Sequence, residues 1–153
     1  MIFEVREMKA GDLDAVELIY RRHVPEGVHE SWRARVTQAL VAPASTVALV
    51  GVDQEDQVLG YLVGDVRVWE FGSEPAGWIF ALAVDPGISG EGLGRRLQAA
   101  ARKRFSDLGV ARIRTMVRKD DVKVLRFFRD HGFRAGPYVE LELDVGPFET
   151  PEE

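Results

Sequence analysis

Trp78-Ile79-Phe80-Ala81-Leu82-Ala83-Val84-Asp85-Pro86, followed directly by Gly87-Ile88-Ser89-Gly90-Glu91-Gly92-Leu93-Gly94-Arg95-Arg96-Leu97, decides the fold of this chain. The first half is almost wholly apolar, as in a strand buried on both faces. The second half reads as a glycine-rich turn and the start of a helix. Glycines at 90, 92 and 94 let the backbone fold tightly and bring its N–H groups close to a ligand. A helix beginning there aims its unpaired N–H groups and the positive end of its dipole at the turn. Such an arrangement is an anion site, with phosphate or pyrophosphate as the usual guest. The stretch therefore points to a phosphorylated cofactor. Its other reading is a helix entry without a ligand, because glycine at a strand–helix turn also serves the backbone alone.

Downstream, the helix is predicted to run to about Leu108, with Leu93, Leu97, Ala100, Ala101, Phe105 and Leu108 facing inward and Gly109 as its cap. Residues 111–118 read as a strand. Asp120 or Asp121 can cap a further helix through Val124, Leu125, Phe127 and Phe128 to His131, closed by Gly132 with Phe133 beyond it. Residues 138–145 alternate as a final strand, and 147–153 form a polar tail. Upstream, residues 46–52 and 58–69 read as a hairpin around the polar turn Asp53-Gln54-Glu55-Asp56. Two amphipathic helices come before it. Residues 12–23 place Leu13, Val16, Ile19 and Tyr20 on one stripe, and 30–41 place Trp32, Val36, Ala39 and Leu40 inward. Pro25-Glu26-Gly27 separates the two helices, and residues 2–6 are the first strand. The order β-α-α-β-β-β-α-β-α-β implies an α/β fold with a mixed sheet and helices on its faces. With no repeat and no linker, residues 1–153 are expected to form one domain.

Composition narrows the classes further. A hydrophobic content of 46% is enough for a real core, and the absence of cysteine excludes disulfides and thiolate chemistry. No apolar run approaches the length of a membrane span, and the start has no leader pattern, so a cytoplasmic location is expected. A net charge of −5, from 20 basic and 25 acidic residues, argues against nucleic acid and suits a cationic partner such as an amine. The basic stretch between Arg95 and Arg104 reads as the solvated face of a helix.

The glycine turn is not a Rossmann fingerprint, because G-x-G-x-x-G would need glycine at Arg95 or Leu97. Nor is it a Walker A loop, since no Gly-Lys-Ser/Thr comes after it. The segment resembles the acetyl-CoA signature of the GNAT superfamily of N-acetyltransferases, Arg/Gln-x-x-Gly-x-Gly/Ala after a strand ending in Val-x-Pro. Val84-Asp85-Pro86 and Gly92-Leu93-Gly94 match, and Ser89 stands at the Arg/Gln position. A second pattern of that family is Asn-x-x-Ala-x-x-x-Tyr-x-x-x-Gly-Phe. Here Gly132-Phe133 match, with Asp121 at the Asn position and Phe128 at the Tyr position. The resemblance covers essentially the whole chain.

The resemblance implies a mostly antiparallel sheet in which the strands at 78–84 and 111–118 form a splayed parallel pair, with helices on both faces. It implies acetyl-CoA as co-substrate, no metal, and direct transfer of the acetyl group to a primary amine in a ternary complex. The acceptor could be a small amine, an amino-acid derivative, or a protein lysine or N-terminus. Ser89, Gly90, Glu91, Gly92, Leu93, Gly94 and Arg95 would hold the pyrophosphate, with Arg96 adding positive charge. A backbone N–H among Leu82, Ala83 and Val84 would stabilise the thioester oxygen. Asp121 and Phe128 occupy the positions that in the family contact the pantetheine arm and protonate the departing thiolate.

The attacking amine must be neutral, so something must take its proton. Phe80, Met116 and Phe128 stand where family members carry acids or bases, and none of them titrates. Loss of such a group costs about 10²–10⁴ in rate. Glu74 and then Glu70, on the loop before the key strand, are the first candidates for the base. Asp65, Glu140, His23, Glu26, His29 and Glu30 come next, and each also reads as a solvated charge or cap. His23 and His29 lack a zinc spacing. The aromatic run Trp69, Phe71, Trp78 and Phe80 reads as core plus cleft lip, or as a cap over a hydrophobic acceptor. A rival reading is a GNAT fold that binds acyl-CoA without catalysis, as a sensor or interaction module. A second subunit could pair with an exposed last strand to give a homodimer.

Overall fold

β2 (Thr46–Val52) and β3 (Val58–Arg67) form the hairpin expected around Asp53-Gln54-Glu55-Asp56, and every residue of β2 is buried. The Asp53 carboxylate closes the turn by accepting from the N–H groups of Glu55 and Gln57, both at 2.9 Å. β1 (Glu4–Glu7) pairs antiparallel with β2, and β4 (Ala76–Val84) pairs antiparallel with β3. β5 (Ile113–Thr115) lies parallel to β4 and completes the order β1-β2-β3-β4-β5. The structure is a computed structural model that describes residues 1–24, 30–68 and 70–147. The breaker Pro25-Glu26-Gly27, the base candidates Glu26 and His29, Trp69 and residues 148–153 of the tail lie outside the described residues. The chain divides into two compact units, Met1–Val117 and Arg118–Glu153.

In the first unit, α1 (Leu13–His23) and α2 (Glu30–Leu40) cover one face of the sheet. Their predicted stripes are the buried ones. Leu13, Val16 and Ile19 of α1 and Val36 and Ala39 of α2 pack on Ala48, Val50, Val52, Tyr61 and Val63. Tyr20 and Trp32 stack at 4.2 Å and join the two helices. The other face carries α3 (Leu93–Asp107). That helix lies on a lane of glycines. A Cβ at Gly51 would come within 2.4 Å of Leu93, and one at Gly77 within 2.6 Å of Phe105. The missing side chains let Leu93, Leu97 and Phe105 sink to the sheet, and all three are fully buried. Gln98 is buried as well, although its position lies outside the predicted inward stripe.

α4 (Val122–Asp130) belongs to the second unit. Asp121 caps it, its carboxylate accepting from the Val124 N–H at 3.1 Å. Gly132 ends it with positive φ, and the Phe133 N–H returns to the Phe128 carbonyl at 3.0 Å. This is the C-terminal closure that Gly-Phe predicts.

The structure departs from the predicted strands at two places. Residues 138–145, predicted as a final strand, join no ladder among the described residues. Val139, Leu141, Leu143 and Val145 stand 78% to 94% exposed. Alternation makes a segment fit for a sheet, but a strand exists only where a neighbour takes up its N–H and C=O groups. For the same reason the strand predicted over 111–118 shrinks to Ile113–Thr115, because β4 offers it pairing only along Gly77–Ile79. Among the described residues no helix is long and apolar enough to cross a membrane.

Candidate functional site

β4 and β5 part company after three residues. The Gly77 N–H donates to the Arg112 carbonyl and the Thr115 hydroxyl donates to the Ile79 carbonyl, each at 2.9 Å. Beyond Ile79, β4 continues without β5. One residue is also inserted there: Ala81 faces Val63 and Ile79 faces Gly64, so Phe80 is the extra residue of a β-bulge. A bulge bends its strand and re-aims the residues beyond it. Further along, the Asp85 N–H donates to the Leu59 carbonyl at 2.7 Å. In an antiparallel pair the hydrogen-bonding residues alternate, so Ala83 and Ala81 serve the β3 ladder. The N–H and C=O groups of Leu82 and Val84 therefore point away from β3, along the edge that β5 leaves free. Of the three residues predicted to face the thioester, Leu82 and the N–H of Val84 offer backbone groups to a ligand, whereas those of Ala83 are engaged by β3 and the Val84 carbonyl by the His23 ring.

The strand leads straight into the glycine turn. Asp85 organises it, accepting from the Gly87 N–H at 2.9 Å while its own carbonyl takes the Ile88 N–H at 3.0 Å. Gly90 and Gly92 adopt φ of 88° and 94°, a region that residues with a Cβ rarely enter. A Cβ at either would meet nothing within 4 Å, so it is the backbone conformation and not crowding that calls for glycine. Gly92 is the N-cap of α3 and no side chain caps the helix. The Arg96 N–H makes the first helical bond, to the Gly92 carbonyl at 3.2 Å. The N–H groups of Leu93, Gly94 and Arg95 consequently have no helical partner and carry the positive end of a 15-residue helix. Ser89, Gly90, Glu91 and Gly92 are exposed beside them. Arg95 is exposed too, whereas the Arg96 guanidinium donates to the Phe3 carbonyl and ties the helix to the N-terminal segment.

The last turn of α1 reaches the end of β4. Arg22 pairs with the Asp85 carboxylate, and the His23 Nε2 lies 2.8 Å from the Val84 carbonyl oxygen. No local pattern in the sequence announces these contacts.

The carboxylates proposed from sequence have different surroundings. Glu74 is exposed, and its backbone carbonyl shares the Ser73 hydroxyl with that of Glu70, at 3.1 and 2.8 Å. Glu70 lies 3.9 Å from the Arg67 guanidinium through Oε1, while its Oε2 is buried without a hydrogen-bond partner. The Trp78 indole Nε1 is likewise buried and unpaired. Asp65, largely buried on β3, accepts from Arg35 and from the Arg67 Nε at 3.1 Å. Arg35 lies over the Phe80 ring at 4.3 Å, and Arg67 over Trp78 at 4.8 Å. Phe80 thus serves as a platform for an arginine. Reading by motif missed both arginines, because on α2 and β3 they look like ordinary surface charges. A cleft of about 310 Å³ opens beside this group, lined by Arg35, Gln38, Thr46 and Asp65 among others. Glu30 is exposed at the start of α2, Glu140 is exposed on 138–145, and Met116 is 68% exposed. In the second unit, Phe128 is buried edge-on to Phe127 and Phe133, at 5.2 and 5.0 Å. Among the described residues no group of three or more His, Cys, Asp and Glu side chains is placed to hold a metal ion.

Residues 76–107 thus form a strand that β5 leaves after Ile79, a glycine turn and a helix with no side-chain cap. The family model of the GNAT acetyltransferases matches residues 13–133, and the chain belongs to that family. Solved structures share its fold. One is AAC(6')-Iy in complex with a bisubstrate analogue, CoA-S-monomethyl-acetylneamine, with a TM-score of 0.81 at 13% identity over 95% of this chain and 100% of that one. Another is a transcriptional regulator from Bacillus halodurans, with a TM-score of 0.79 at 18% identity over 94% and 100%. A third is an aminoglycoside acetyltransferase from an uncultured soil metagenomic sample, in complex with sisomicin, with a TM-score of 0.73 at 19% identity over 94% and 97%. At these identities the likeness is one of fold. No curated protein sequence matches the chain.

Proposed function

We propose that the chain is an N-acetyltransferase that moves the acetyl group of acetyl-CoA to a primary amine by direct attack, as one domain acting in the cytoplasm. One observation carries the reading: the edge of β4 that is free at Leu82 leads, through the short helical turn Pro86–Ile88, to the uncapped N-terminus of α3 at Gly92. The edge suits the amides of a pantetheine arm, and the N–H groups of Leu93, Gly94 and Arg95 suit a pyrophosphate. The Leu82 N–H is the donor for the thioester oxygen as charge builds on it. Ser89 supplies no cation where the family pattern has Arg or Gln, so the turn holds phosphate chiefly through backbone donors.

The acceptor amine enters from the α1/α2 face, where Glu70, Asp65, Trp78 and Phe80 gather with Arg35 and Arg67. Glu70 and the exposed Glu74 are the carboxylates that hold the acceptor's ammonium. The second reading, a fold that binds acyl-CoA without turnover, is favoured by Phe80 lying under Arg35 and by the absence of a titrating side chain at Phe80, Met116 and Phe128. Calorimetric titration with acetyl-CoA, with dephospho-CoA and ATP as comparisons, tests the cofactor site. Release of CoA in the presence of a panel of primary amines then separates the two readings. Acetyl-CoA that fails to bind at millimolar concentration overturns both. A homodimer covering Val139, Leu141, Leu143 and Val145 is part of the proposal, and sedimentation equilibrium that gives a monomer removes it.

A further inference from the structure

We infer that the acceptor amine also carries a carboxylate, as an amino acid does, and that Arg35 and Arg67 bind this acid group. The inference rests on the acetyltransferase reading above and narrows its acceptor class. Arg35 comes from α2 and Arg67 from β3, and Asp65 holds both. Its Oδ2 accepts from Arg35 and its Oδ1 from the Arg67 Nε, the latter at 3.1 Å. The two guanidiniums lie over two rings of β4, Arg35 at 4.3 Å from Phe80 and Arg67 at 4.8 Å from Trp78. Strand alternation explains the meeting. Asp65 and Arg67 continue the row of Tyr61 and Val63 on the face of β3 that α1 and α2 cover. Trp78 is the cross-strand partner of Asp65 and so shares that face. Phe80, the bulge residue, packs against the same core.

Charge and geometry at this group select an anion. Asp65 is one carboxylate shared by two cations, so the three side chains together stay positive. Among the described residues Arg35 has no acidic partner but Asp65, and Glu70 approaches the Arg67 Nη1 only to 3.9 Å, too far for a hydrogen bond. A guanidinium holds its N–H donors in one plane. The ring beneath each arginine and the Asp65 carboxylate beside it fix that plane. The remaining edge faces outward, since Arg35 is 41% and Arg67 34% exposed. A guanidinium held this way presents paired N–H groups that match the two oxygens of a carboxylate. The cleft beside it is built to the same sense. Among the described residues that line it, Asp65 is the one acid and is already engaged, Arg35 is the one cation, and Gln38 and Ser45 add neutral polar groups. A polycation finds no uncommitted carboxylate there, whereas an acid group finds Arg35.

Position relates the arginines to the acetyl group. Phe80, the platform of Arg35, is two residues from Leu82, about 7 Å of strand. An amine beside the Leu82 N–H and a carboxylate on Arg35 can therefore belong to one small molecule. Arg35 and Arg67 are then specificity-determining residues that orient the acceptor and take no part in moving its proton.

The experiment measures CoA release from acetyl-CoA with the genetically encoded amino acids, β-alanine and γ-aminobutyrate, each against its carboxamide, and with spermidine as a polycation. The carboxamide keeps the size of the acid and removes its charge. At least one acid is expected to exceed its carboxamide and spermidine by about 10–10² in kcat/KM, the worth of a charge-assisted hydrogen bond. Arg35→Gln is expected to bring that ratio to about one, with the loss appearing in KM. Arg35→Lys is expected to keep part of the ratio, because it retains the charge without the paired donors. An arginine that merely supported the fold would lower acid and carboxamide alike and leave the ratio standing. Arg67→Gln provides the same test where Arg35→Gln does not fold. A wild type that prefers carboxamides or spermidine, or a ratio unchanged in both variants, overturns the inference and leaves the acetyltransferase reading intact. Calorimetry of the CoA-loaded wild type with the same compounds needs no turnover and decides the matter if no amine is acetylated. An acid is expected to bind there at least about tenfold more tightly than its carboxamide. Equal affinities, or no acid bound at millimolar concentration, overturns the inference. Failure of wild type to bind acetyl-CoA is a separate result, and it is the one that defeats the underlying reading.

Discussion

Gly77→Ala asks whether the closeness of α3 to the sheet is as demanding as the structure implies. A Cβ at Gly77 would lie 2.6, 2.8 and 2.9 Å from the Cδ1, Cε1 and Cγ of Phe105, closer than packed carbons tolerate. Phe105 is fully buried, so its ring has no free direction in which to retreat. Overpacking of this kind costs about 1–3 kcal/mol. The lower freedom of alanine in the unfolded chain returns about 0.4–1 kcal/mol, which leaves a net loss of about 0–2.6 kcal/mol. Phe105→Ala alone vacates the same space from the other side and should cost about 3–5 kcal/mol. In the double variant the new methyl group enters that space, so only the unfolded-state gain of alanine remains and its loss should fall about 0.4–1 kcal/mol below that of Phe105→Ala alone. The coupling energy is then about 1–3 kcal/mol, well beyond the scatter of independent sites. Urea unfolding at constant m-value measures all three variants. Additivity within about 0.5 kcal/mol would refute the contact. Because α3 also begins at Gly92, acetyl-CoA titration of Gly77→Ala reports whether the strain travels to the turn.

Other substitutions probe the site and its supports. Gly92→Ala places a Cβ where φ is 94° with nothing to collide with, so its cost is conformational, about 1–2 kcal/mol; calorimetry should find acetyl-CoA binding weakened about tenfold with the fold retained. Glu70→Gln and Glu74→Gln test the two acceptor-side carboxylates: steady-state kinetics should give a raised KM for amine with either substitution, and wild-type values in both would overturn the assignment. The Arg6 guanidinium, bonded to both oxygens of Asp12 at 2.8 and 2.9 Å, holds that carboxyl below its usual range, with the Lys9 N–H assisting. Since the folded pKa lies below the unfolded one, this stability is present above the ordinary carboxylate range and lost as pH falls through the folded value. Asp12→Asn should cost about 1.5–3 kcal/mol at pH 7 and much less near pH 2, read from urea midpoints at the two values.

Everything the sequence determined by itself depends on neighbours a few residues away. The stripes of α1, α2 and α3 come from a 3.6-residue period, and β4 was legible as an apolar run, although only Ala76, Gly77 and Ile79 of it are buried and the rest is half-buried. The hairpin turn comes from Asp53 bonding N–H groups two and four residues ahead. The glycine turn was legible for the same reason: positive φ at Gly90 and Gly92 and an uncapped helix start are local consequences of glycine placement. Tertiary structure decided everything that needed a distant partner. Alternation alone left 138–145 without a ladder, because pairing belongs to two segments and periodicity to one. The bulge at Phe80 comes from a register mismatch with β3, which neither strand records. It also took the folded sheet to show that Ala83 is engaged by β3 while Leu82 is not. The Arg35–Asp65 contact spans 30 residues of sequence and the His23–Val84 contact spans 61. Side chains so far apart meet only when packing fixes the elements that carry them, so the glycine turn could be read from the chain and these contacts could not.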